Sequence, residues 1–80
     1  MYRNEVAEIL DELVGEWTTV REEIEFMVRE KMEETGIEFS VEDFGECIAV
    51  DFEDDDGYDR EVVVYYNLVG RNTWTINKVL

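Results

Sequence analysis

Ile37-Glu38-Phe39-Ser40-Val41-Glu42-Asp43-Phe44-Gly45-Glu46-Cys47-Ile48-Ala49-Val50-Asp51-Phe52 is where the hydrophobic period of this chain changes. Ile37, Phe39 and Val41 alternate with Glu38, Ser40 and Glu42, the period-two pattern of a half-buried strand. Asp43 to Glu46 reads as a turn around Gly45. A second strand runs from Cys47 to Phe52, with Ile48, Val50 and Phe52 on one face. Asp54 to Arg60 is a polar hairpin tip around Asp56-Gly57, a favoured turn pair. Beyond it, Glu61 to Val69 predicts a third strand with apolar residues on both faces: Val62, Val64, Tyr66 and Leu68 against Val63, Tyr65 and Val69. Gly70-Arg71-Asn72 turns the chain into a fourth strand, Thr73 to Val79, with Trp74 and Ile76 opposite Thr73, Thr75 and Asn77.

Upstream of this stretch the period is helical. Val6, Leu10, Leu13, Trp17, Val20, Ile24 and Met27 step by alternating fours and threes along one helix face. Ile9, Val14, Val28 and Met32 widen that stripe. Asn4 is placed as an N-cap, and Gly36 as a C′ residue with Ile37 packing back on the last turn. Gly15 and a capping box at Thr19–Glu22 favour a break near residues 15–18. The unbroken phase of the stripe favours one helix. That helix would be about 48 Å long at 1.5 Å per residue, longer than a domain of this size covers. The expected fold is therefore α+β: one helix or two over about 4–35, packed on a four-stranded antiparallel meander over about 37–79, in a single domain. The second face of the third strand, with Tyr65 and Trp74 or Tyr58, is expected to lie exposed as an apolar patch.

Charge dominates the composition. Twenty-two acids against seven bases give a net −15 over 80 residues, beyond the ~2–8 units that keep a small domain soluble. Residues 1–36 carry eleven acids and four bases, and residues 37–60 ten acids and one base. Residues 61–80 carry one acid, Glu61, and two bases, Arg71 and Lys78. Such a chain repels phosphates and anionic membranes, so direct nucleic-acid or membrane binding is not expected, and a basic protein partner is. The first residues lack the apolar run of a leader, and the single cysteine, Cys47, makes no internal disulfide. Both point to a soluble cytoplasmic protein.

Catalysis is poorly supplied. Histidine, the usual general base near neutral pH, is absent. Cys47 has no basic neighbour, the lone Ser40 lacks the glycines of a nucleophile elbow, and no phosphate-binding loop occurs. With 22 acids, carboxylate pairs arise by chance. Asp54-Asp55-Asp56-Gly57-Tyr58-Asp59 invites a calcium reading. With Gly57 as the sixth residue of an EF-hand loop, however, the first and twelfth positions are Phe52 and Val63, where acids are required. No enzyme activity, cofactor or metal is expected. The acids of the helix faces, such as Glu8, Glu12, Glu30 and Glu33, have few bases to pair with at i,i+4; Arg29 and Lys31 are the main ones.

Small size, extreme acidity, no catalytic set and aromatic residues beside the acids together resemble phage-encoded DNA mimics and acidic anti-CRISPR inhibitors. The resemblance is one of size and composition over the whole chain. It implies an inhibitor whose carboxylates imitate nucleic-acid phosphates for a basic nucleic-acid-binding protein, a nuclease or an RNA-guided effector complex. The candidate partner-binding residues are Glu42, Asp43, Glu53, Asp54, Asp55, Asp56 and Asp59, with Tyr58 among them, meeting Arg or Lys through charge-assisted hydrogen bonds. The alternative is a halophile-adapted oligomerising or adaptor domain, a homodimer for instance. There the acids answer the solvent, and the apolar C-terminal strands or the helix stripe form the interface.

Overall fold

The computed structural model describes residues 2–80 and is α+β. Its elements are α1 (Tyr2–Asp11), β1 (Trp17–Thr18), α2 (Glu22–Thr35), β2 (Phe39–Asp43), β3 (Cys47–Glu53), β4 (Asp59–Val69) and β5 (Thr73–Val79). The strands form one antiparallel sheet in the order β1-β5-β4-β3-β2. Strands β2 to β5 are the expected meander. The fifth strand, β1, is a departure from the four expected, and it interrupts the helical stripe between Leu13 and Ile24.

Two helices form, not one. After α1 the backbone tightens into turns, and Gly15 takes the left-handed conformation at φ 95°, open to a residue without Cβ. The Gly15 N–H then donates to Ile76 C=O, and Ile76 N–H to Glu16 C=O. The break is thus fastened to β5, and Trp17 and Val20 of the stripe become exposed. Two expected caps are absent. Asn4 lies inside α1 rather than before it. No side chain caps α2 at Arg21. In place of the Thr19–Glu22 box, the Thr18 hydroxyl accepts from Val20 N–H and donates to Glu23. Gly36 does end α2 in the left-handed region, its N–H bonded to Glu33 C=O.

Both helices lie on one face of the sheet. Val6, Leu10, Leu13, Ile24, Val28 and Met32 meet Ile48, Val50, Phe52, Val62, Val64, Tyr66 and Ile76 in one buried core. This is the face that alternation assigned to each strand, and burying these side chains is the main stabilising term. Trp74 belongs to this covered side, edge-on to Tyr66 at 5.9 Å, not to the open patch where it was expected. No helix among the described residues is long and apolar enough to cross a membrane.

Candidate functional site

The sheet face away from the helices presents the odd-numbered residues of β3 and β4. Antiparallel register sets Cys47 opposite Tyr65, Ala49 opposite Val63, Asp51 opposite Glu61 and Glu53 opposite Asp59. The face is therefore divided. Towards the β4–β5 turn it mixes apolar and uncharged polar side chains, with Asn77 bonded to Asn67, Lys78 over the Tyr65 ring at 4.9 Å and Trp17 exposed at the β1 edge. Towards the β3–β4 hairpin tip it is acidic.

In the acidic half two like-charged pairs face each other in alternate registers. Directly opposed side chains of an antiparallel pair stand about 4.5–5.5 Å apart at Cβ, where like charges destabilise. Asp51, Glu53, Asp59 and Glu61 are all exposed, and among the described residues none of them takes part in an ion pair. Strand β2 adds to the cluster: Ser40 lies opposite Asp51, and Glu42 opposite Ala49. A shallow hollow lined by Glu38, Ser40, Asp51, Glu53 and Asp59, with Phe39 and Phe52, opens at this end.

The register follows from the hairpin loop. Asp54 N–H donates to Tyr58 C=O and Gly57 N–H to Asp54 C=O, so the loop is the three residues Asp55-Asp56-Gly57, with Gly57 at φ 85°. A two-residue Asp56-Gly57 loop would slip β4 by one residue and turn its other face outward. The three-residue loop is what aligns the acids.

The expected binding residues separate into two groups. Glu42, Glu53, Asp55, Asp56, Tyr58 and Asp59 are exposed. Asp43 and Asp54 are not: Asp43 is half-buried, Asp54 is buried, and both bond within the fold. Asp43 Oδ1 accepts from the Tyr66 hydroxyl at 2.6 Å and from Gly45 N–H at 2.8 Å, with an Arg21 guanidinium nitrogen at 3.4 Å. Burial and the bond to Asp43 push the Tyr66 hydroxyl up to about 12. The bond Tyr66 accepts from Arg21 raises the guanidinium further still.

Asp54 is buried. Its Oδ1 accepts the N–H of Tyr2 and of Asp55, both at 2.8 Å, tying the start of α1 to the hairpin. Its Oδ2 accepts no hydrogen bond but lies 3.5 Å from Arg60 Nε. Burial alone would raise this carboxyl. The backbone N–H groups of Asp55 and Tyr2, with Arg60, outweigh it and hold the carboxyl below its ordinary range. Asp55, hydrogen-bonded to Asp54 and partly desolvated, is raised.

One oxygen each of Asp54, Asp55 and Asp56 converge within 4.8 Å, a spacing open to a hard cation. The cation at this tip is Arg60, which also bonds Asp56 at 2.8 Å and lies over the Tyr58 ring. Its guanidinium bridges Asp54 and Asp56 and offsets part of the cluster's charge.

Asp51 and Glu61, outside the expected set, are exposed on the same face. Their signal was present in the alternation, which puts Asp51 on the face opposite Val50 and Phe52. Their pairing required the loop length. Comparison with protein-family models, with curated proteins and with solved structures finds no match to this chain.

Proposed function

We propose that this protein is an inhibitor that occupies the nucleic-acid-binding surface of a basic protein, a nuclease or an RNA-guided effector complex, by imitating phosphates. The observation that carries the reading is the double row of carboxylates, Asp51/Glu61 and Glu53/Asp59, without an ion pair among the described residues, on the uncovered face of the sheet. Two residues along a strand advance about 6.8 Å. Each such step offers two carboxylates, hence one charge per about 3.4 Å, which is the axial spacing of phosphates along one DNA strand. Glu42 flanks the rows on β2. A fold selected for stability alone gains nothing from like charges in register. A partner bearing Arg and Lys converts that repulsion into charge-assisted hydrogen bonds.

The test is capture from a cell lysate on the immobilised protein at moderate salt, with and without duplex DNA as competitor. A basic nucleic-acid-binding protein released by both DNA and salt, and not retained by a D51N/E53Q/D59N/E61Q variant, is the expected result. Retention only of further copies of this chain, or of partners indifferent to DNA, would overturn the reading. A second reading, adaptation to concentrated salt, draws on the spread of exposed acids over both helices as well as the sheet. It predicts that the fold is lost at low salt and regained in molar salt, which the inhibitor reading does not.

A further inference from the structure

We infer that the outer edge of β2 accepts an extended peptide segment of alternating basic and apolar residues as a sixth strand. It differs from phosphate imitation in resting on backbone groups of β2, and shares with that surface only the flanking Glu42.

β2 is the last strand of the sheet, with β3 on one side and no strand among the described residues on the other. Its hydrogen-bonding phase is set by the Phe44 N–H bond to Cys47 C=O. Rungs to β3 then fall on Phe44, Glu42 and Ser40, so the peptide groups of Phe39, Val41 and Asp43 point outward. The pairing of β2 with β3 runs without a bulge from Phe39 to Asp43. The strand holds no proline and no lysine, two of the usual devices that blunt an exposed edge. The other edge of the sheet differs: β1 is two residues long, and the loop before it bonds to Ile76.

Side chains along β2 state the chemistry of the occupant. Ser40 and Glu42 are exposed on the open face, with Glu38 just before them and Asp51 beside Ser40. Phe39 and Val41 lie half-buried on the covered face, packed against the core. A strand added here sets alternate side chains next to each group. Basic residues meet Glu42 and Glu38, and apolar residues extend the Phe39 and Val41 surface. A second copy of this edge would bring acids against acids, so charge excludes self-pairing and favours a cationic strand.

The probe is a synthetic peptide of about seven alternating Lys and Val residues, long enough for one strand, titrated into the isotope-labelled full chain. Expected are amide shifts and slowed hydrogen exchange at Phe39, Val41 and Asp43. The same peptide N-methylated on its edge-facing amides should bind about tenfold more weakly or worse, and a Glu/Val peptide should not bind. Val41→Pro removes an outward N–H without breaking a rung to β3 and should abolish the slowed exchange. If that variant fails to fold, the methylated peptide decides. Equal affinity of the methylated peptide, or shifts confined to Asp51, Glu53, Asp59 and Glu61, would overturn the inference. DNA-displaceable capture without any response at β2 would sink this proposal and leave phosphate imitation standing.

Discussion

Neutralising one acid in each opposed pair, D51N/D59N, should make the protein more stable and a worse binder. Asp51 faces Glu61 and Asp59 faces Glu53 across β3 and β4, and among the described residues none of the four is in an ion pair. A like-charged pair directly across an antiparallel ladder costs about 0.2–1 kcal/mol. Relief of two pairs gives about 0.4–2 kcal/mol. At about 4–8 °C per kcal/mol for a domain of this length, the midpoint rises by roughly 2–16 °C. The assay is thermal unfolding followed by circular dichroism at low ionic strength, repeated in about 1 M salt, where screening acts within about 3 Å. The gain should shrink towards zero in the salt arm, while capture of the basic partner falls in parallel at low salt. An equal or lower midpoint for D51N/D59N at low ionic strength would refute the reasoning, because the rows would then not be held against repulsion.

Tyr66→Phe should cost about 1.5 kcal/mol in urea unfolding, the lower end for a bond to a charged acceptor, because Asp43 keeps Gly45 and Arg21. The raised Tyr66 hydroxyl favours the neutral phenol in the fold. Its contribution is therefore complete below its ordinary 10.0 and is lost as pH rises towards about 12; that alkaline loss should vanish in the variant. Asp54→Asn should lower the thermal midpoint at neutral pH. The depressed Asp54 carboxyl stabilises the fold above the ordinary carboxylate range and loses that effect as pH falls through its lower folded value. The difference between wild type and variant should accordingly narrow in acid. Met32→Ala, at a fully buried site between α2 and the sheet, should cost about 2–5 kcal/mol, read as a shift in the urea midpoint with an unchanged slope.

Local periodicity carried most of the architecture. Residues such as Ile48, Val50, Phe52, Val62, Val64 and Ile76 sit where alternation placed them, because a strand has two faces and one of them must leave water. Gly36 ends its helix as expected, since a left-handed residue there favours glycine. Where the first helix stops was less legible. Trp17 and Val20 keep the helical phase, yet the backbone bonds of Gly15 and Glu16 to Ile76 turn them outward. Those bonds join residues sixty positions apart, and no local pattern encodes them.

The candidate site divides along the same line. Composition by itself determined that this chain carries a large excess of carboxylates, because a net −15 is independent of how the chain folds. Which carboxylates stay exposed was a tertiary decision. Asp43 and Asp54 resemble their neighbours in sequence, but a tyrosine from β4 and a backbone amide from α1 close around them. Asp51 and Glu61 became a pair only because a three-residue loop set the register of β3 on β4. The physical reason is range: alternation is settled within two residues, whereas pairing and burial depend on which distant groups arrive to satisfy the backbone and the charge.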